Sequence, residues 1–186
     1  MSTSPQQSRN GNSKKFRLTA DMKRVIGEQR LAFVATVCPD GTANVSPKGT
    51  IGVFDDSHLV FVDIRSPGTV RNLGANPSIE VNVVDPFCRK GYRFKGKGQV
   101  VRDGVLFQEL TKFYAEKRVD GESQPAPAPN RHRRLPENYR FRSFVLIEVE
   151  QASPLISPAY DFGAREEEVH REWTQYFAAL NSKRVS

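Results

Sequence analysis

Short apolar runs of strand length, each closed by a turn signal, limit what this chain can fold into. Residues 31–37, 58–64, 78–84, 92–101 and 141–149 are such runs, bounded by Pro, Gly, Asp or Asn. Runs of this length and composition, with side chains alternating between two faces, predict strands. Pro39-Asp40-Gly41 predicts a hairpin from 31–37 into a second strand at 43–46 that resumes over 50–54. The glycine there supplies the positive φ such a turn requires. Asp55-Asp56-Ser57 predicts the next turn, and Gly96 and Gly98 predict a bulge or a close approach in the fifth strand. The count is six strands.

Helices fill the intervals. Thr19 is placed to cap a helix running to Gln29, with Leu18, Met22, Val25 and Ile26 on one face. Ser66 as cap and Pro67 in the first position open a short helix that stops at Asn76-Pro77, with Val70 and Leu73 turned inward. A third helix covers 105–117, carrying Leu106, Leu110, Phe113 and Tyr114. Pro154 and Pro158 predict breaks, and a last helix spans 165–180. Its stripe of Val169, Trp173, Tyr176 and Phe177 reads as packing. Antiparallel strands with covering helices predict a mainly β fold, a small six-stranded barrel. The expected organisation is a disordered basic tail at 1–17, then a single domain over 18–182 with a mobile loop at 120–136.

Composition excludes several classes. No apolar run approaches the length of a membrane span, and mean hydropathy is -0.54. The first residues lack the apolar stretch of a secretory signal. Two cysteines, Cys38 and Cys88, cannot build a disulfide framework, and the single histidines His58, His132 and His170 match no metal spacing. A reducing, cytoplasmic setting is expected. The net charge of +7 is spread over tail and loop positions, among them Arg89, Lys90, Arg93, Lys95 and Lys97. Such segments suit an anionic small ligand or a solvated surface better than nucleic acid, a reading that predicts salt-sensitive oligonucleotide binding.

Two polar clusters carry the chemistry. Asn44-Val45-Ser46-Pro47-Lys48-Gly49 ends the second strand, and Asp63-Ile64-Arg65-Ser66-Pro67-Gly68-Thr69 ends the third and opens the short helix. An ammonium, a guanidinium, hydroxyls and fresh helix amides together suit a phosphate. If the second and third strands are hairpin neighbours, both clusters reach one anion. Gly96-Lys97-Gly98 is no dinucleotide fingerprint, because no βαβ pattern surrounds it.

The order of these segments resembles a known family. Ala35-Thr36-Val37-Cys38-Pro39-Asp40-Gly41, the Asn44–Gly49 cluster, Val60-Phe61-Val62-Asp63, then Arg65, Thr69, Asn72-Leu73 and Asn76-Pro77 are similar to the pyridoxamine 5'-phosphate oxidase-like FMN-binding proteins. Gly91-Tyr92-Arg93-Phe94-Lys95-Gly96 fits the same family, and the likeness covers about 28–150. The resemblance implies an FMN-binding split β-barrel, a homodimer with FMN at the subunit interface, and hydride transfer to or from a small-molecule substrate. By position it implies that Ser46, Lys48 and Gly49 line the flavin and its phosphate tail. Asp63 would lie beside the isoalloxazine ring, and Arg65, Ser66 and Thr69 would take the phosphate. Asn72 would touch the ribityl chain or cap local backbone, and Arg93 would approach the flavin across the dimer. Lys48 is a candidate for the phosphate or for the flavin ring, not both.

This chain also departs from the family. Gly68-Thr69 stands where authentic pyridoxamine phosphate oxidases carry a more basic pair, and the C-terminus lacks their Arg-Leu-Ala-Pro-like substrate segment. The vitamin substrate is therefore not implied. A deazaflavin cofactor, or a non-catalytic flavin-binding or redox-sensing module, remains an alternative to an FMN-dependent oxidoreductase.

Overall fold

The computed structural model describes residues 16–29, 31–119 and 140–185. Most of the expected tail and the expected loop lie outside the described residues. Phe16 nevertheless packs against the core, and Arg17 pairs with Asp56. The chain runs α1 (Ala20–Glu28), β1 (Ala32–Val37), β2 (Ala43–Lys48), β3 (Gly52–Val53), β4 (His58–Val62), α2 (Pro67–Ala75), β5 (Ser78–Asp85) and β6 (Lys90–Val101). It continues through α3 (Gly104–Val119), β7 (Phe144–Ile156), a 3-10 turn at Pro158–Phe162 and α4 (Glu166–Val185).

One antiparallel sheet of seven strands, ordered β2-β1-β5-β6-β7-β4-β3, forms the body. The mainly β, antiparallel expectation holds, with seven strands in place of six because the resumed segment of the second strand is separate. β3 leaves β2 and pairs with β4, Gly52 opposite Val60. The hairpin premise for the two polar clusters fails for the same reason. β2 pairs only with β1 and β4 only with β3 and β7 among the described strands. The clusters thus start near opposite margins of the sheet, and curling of the sheet, not a hairpin, brings them together. Tyr114 and Thr50 show the closure: Val62 N–H donates to Thr50 Oγ1 at 3.0 Å, and the Tyr114 hydroxyl donates to the Thr50 carbonyl at 2.7 Å.

The core has two parts. Val34, Leu59, Phe61, Ile79, Val81, Phe94 and Ile147 pack inside the rolled sheet, with Leu18, Val25 and Ile26 of the α1 segment sealing one side. Thr19 caps α1 as its spacing predicts, accepting from Met22 N at 3.2 Å in a reciprocal capping box. Val60, Val62, Leu110, Tyr114, Phe144 and Leu146 form the second cluster beneath α3. Tyr114 stacks on Phe144, rings 5.5 Å apart and 10° from parallel. Trp173 packs with Tyr176 and Phe177 as expected, and Arg89 lies over its indole at 4.3 Å.

The expected bulge is present, and one expected break is not. The register of β6 against β7 shifts between Lys95 and Gly96, where the glycines predict a bulge. A Cβ on Gly96 would meet the Glu148 carbonyl at 2.0 Å, so glycine alone fits there. Pro154, expected to break the chain, lies inside β7 opposite Tyr92. Beyond Glu148 that strand has left β4 and pairs on one side only among the described strands, so a missing N–H is tolerated.

Candidate functional site

Asn44, Ser46 and Lys48 form one inward row on β2, opposite Thr36, Val34 and Ala32 of β1. Val45 and Pro47 alternate to the outside, as the two-residue period demands. The row runs beside the first turn of α2: Asn44 Oδ1 is 3.7 Å from where a Cβ on Gly68 would stand.

Lys48 is only 5% exposed. Its ammonium donates to Ser46 Oγ and, at 3.4 Å, to the Pro47 carbonyl, and lies 5.5 Å from the centroid of the Phe61 ring. Burial pulls its pKa below the ordinary lysine value, and the negative charge of Asp63 opposes that shift. A desolvated ammonium held by neutral partners favours an anion beside it.

Asp63, directly after β4, is fixed from two sides. Its carboxylate accepts from Ser66 N at 3.1 Å and from Ser143 Oγ at 2.9 Å. Its own N–H donates to the Ser143 carbonyl at 3.0 Å. The Asp63–Ser66 bond shapes the entry to α2. Ser66 stands at the N-cap with φ -133° and ψ 43°, but its hydroxyl makes no capping bond, contrary to the sequence expectation. The first-turn amides of Gly68 and Thr69 are therefore left without a side-chain cap. No acidic residue occupies that turn. With Lys48 and Arg65 positive and Asp63 negative, the formal charges leave a net positive neighbourhood around these amides.

The inward face of α2 is polar. Thr69 and Asn72 are 2% and 0% exposed. Leu73 points into the core as expected, while Val70 is half-buried. Asn72 Nδ2 donates to Thr36 Oγ1 at 3.1 Å and to Cys38 Sγ at 3.5 Å, while its buried Oδ1 has no partner among the described residues.

Of the residues singled out from sequence, Ser46, Lys48, Asp63, Ser66 and Thr69 share this cleft. Gly49 is exposed in the turn after β2, and Arg65 is exposed between Asp63 and α2. Asn72 lies deeper, bonded to β1. Arg93 stands apart on the outer face of the sheet, 3.8 Å from Glu80, beside a cavity of about 240 Å³ also lined by Lys95, Gln151 and Ser153. Sequence reasoning quoted Thr36, Asn44 and Phe61 without giving them a role, and missed Ser143. Thr36 and Asn44 had a usable signal, polar side chains at inward positions of alternating strands; Ser143 had none.

This geometry can hold a phosphate-bearing ligand: an ammonium, three hydroxyls, uncapped amides and an adjacent guanidinium converge from strand and helix. The sequence profile of the Pyridoxamine 5'-phosphate oxidase family matches residues 18–141. The chain belongs to that family. HupZ of Group A Streptococcus is 26% identical with a TM-score of 0.55, covering 75% of this chain and 95% of its own. An FAD-binding protein from Mesorhizobium loti is 18% identical with a TM-score of 0.51, over 75% and 95% of the two chains. An FMN-binding protein from Syntrophomonas wolfei is 12% identical with a TM-score of 0.50, over 72% and 88%. These likenesses at low identity concern the fold. No curated protein sequence matches the chain significantly. Among the described residues no helix is long and apolar enough to cross a membrane, and no group of His, Cys, Asp and Glu could hold a metal ion.

Proposed function

We propose that this chain is an FMN-dependent oxidoreductase that transfers a hydride to or from a small molecule. The observation that carries the reading is the buried Lys48 ammonium, grouped with Asp63 and an uncapped helix N-terminus in a family whose members include flavin-binding folds. The donor set fits the group. Lys48, Ser66, Thr69 and the amides of Gly68 and Thr69 would hold its phosphate, with Arg65 closing from solvent. Ser46 and Asp63 would line the remainder, Asp63 kept in place by Ser143. When bound, the flavin supplies two-electron chemistry, and the protein's contribution is orientation and local charge.

The same reading takes 18–182 as one domain acting in a reducing cytoplasm, consistent with two unpaired cysteines. It also takes the working unit as a homodimer. Phe33 and Val45, 49% and 62% exposed on the outer sheet face, support an apolar contact there. Arg93 lies on that same face and would approach a neighbouring subunit's cleft.

The test is an absorbance spectrum of the natively purified protein, with mass identification of the co-purifying cofactor and titration with FMN. A flavin spectrum, FMN by mass and loss of affinity in Lys48→Ala and Arg65→Ala support the reading. Colourless protein that fails to bind added FMN overturns it; a deazaflavin mass replaces the cofactor but keeps the cleft.

A further inference from the structure

We infer that Thr36 is a positioning residue, whose single hydroxyl sets the cation-bearing strand and the amide-bearing helix at the spacing an FMN phosphate requires. The inference rests on the FMN reading above. Thr36 is 3% exposed at an inward position of β1. Its Oγ1 accepts from Asn44 Nδ2 of β2 at 3.2 Å and from Asn72 Nδ2 of α2 at 3.1 Å. One buried oxygen of β1 thus joins β2 and α2, the two elements that carry the proposed ligand groups.

The two elements have little else in common. β2 is a marginal strand, paired on one side only among the described strands. α2 is held by Leu73, whose Cδ2 would be 2.9 Å from a Cβ on Gly98, so this apolar anchor rests on β6. Leu73 fixes the helix over β6, and Asn72, one residue earlier, fixes it over β1. Among the described residues, this hydroxyl carries the side-chain hydrogen bonds that join α2, through Asn72, to Asn44 of the β2 row. Buried networks of this kind act as a unit because each lost partner strands another polar group in a low-dielectric interior. Asn72 Oδ1 already lacks a partner among the described residues, so losing the Thr36 bond would strand a second atom of the same amide.

A phosphate that must meet Lys48 and the α2 amides together is sensitive to that spacing, whereas a ring bound by surface contact is not. Thr36→Val keeps the shape and removes both bonds. The experiment measures dissociation constants for FMN and for riboflavin, which lacks the phosphate, in wild type, Thr36→Val and Thr36→Ser. Expected are an approximately tenfold loss of FMN affinity in Thr36→Val, unchanged riboflavin affinity, and recovery in Thr36→Ser. Equal losses for the two ligands, or no loss for FMN, overturn the inference. Should Thr36→Val fail to fold, Asn44→Ala severs only the β2 side, and the same selective loss or its absence decides. Wild type that binds FMN no more tightly than riboflavin removes the phosphate reading itself, and this inference with it.

Discussion

The ammonium of Lys48 and the ring of Phe61 lie 5.5 Å apart, joining the last residue of one marginal strand to the inner face of β4. The pair spans a sheet that backbone hydrogen bonds do not close at this point among the described strands. A cation over an aromatic face is worth about 0.5–2 kcal/mol, the larger values when desolvated.

Lys48→Met keeps that packing and removes the charge. FMN affinity should fall at least about tenfold, since a charge-assisted contact is lost. The folded chain binds the Lys48 proton less tightly than the unfolded chain, so this group's contribution to stability rises with pH from its depressed folded value up to the ordinary 10.5. Lys48→Met should therefore melt higher than wild type at neutral pH, and the gap should narrow as pH rises from the depressed folded value towards 10.5. Wild-type FMN affinity should also fall at a lower alkaline pH than an ordinary lysine would give, and that fall should be absent in Lys48→Met. Thermal melts and flavin fluorescence titrations across pH check both.

Gly68→Arg should tighten anion binding. A Cβ at Gly68 meets only Asn44 Oδ1 at ordinary contact distance, 3.7 Å, so the side chain is accommodated beside the uncapped amides. The gain expected in FMN affinity is about tenfold, with riboflavin unchanged. Equal gains for both ligands would argue against a phosphate at this turn.

Gly96→Ala and Gly98→Ala should separate cleanly in urea denaturation. At Gly96 the new Cβ meets the Glu148 carbonyl at 2.0 Å, and backbone must move. At Gly98 it meets the Leu73 methyls at 2.9 and 3.1 Å, which can rotate away. Costs of about 3 kcal/mol or more and about 1 kcal/mol are expected in that order.

Tyr114→Phe removes one hydroxyl that donates to both Thr50 and Val60 carbonyls, at 2.7 and 3.0 Å. The loss should be about 1–2 kcal/mol in stability. FMN affinity should fall too, because Thr50 follows Gly49 and Lys48, and this hydroxyl joins its carbonyl to that of Val60 on β4. A stability loss with unchanged affinity would limit Tyr114 to the core.

Local chemistry explains what was legible beforehand. Thr19, three residues before Met22 and beside an apolar stripe, could only cap a helix, and it does. Ser46 and Lys48 had to share a face because a strand alternates, and they line one row. Gly96 announced its bulge. The β1–β2 hairpin was legible at Pro39-Asp40-Gly41, but long-range pairing was hidden: β4 pairs with β3 and with the distant β7, so a hairpin between the two clusters looked natural and was wrong. Ser66 misled for a related reason. Its capping role depends on φ and ψ, which Asp63 and Ser143 set from 80 residues apart in sequence. Asn72 was read as touching the ribityl chain or capping local backbone, and spacing alone does not reveal that Thr36 lies beneath it.

Pro154 stands in the half of β7 that has a neighbour on one side only among the described strands. Such a margin is a template on which another extended chain can grow, and successive additions lead to fibres. A residue that has no N–H to offer interrupts the row of donors a foreign strand would need. The substitution Pro154→Val would complete that row and leave the margin open to a foreign strand.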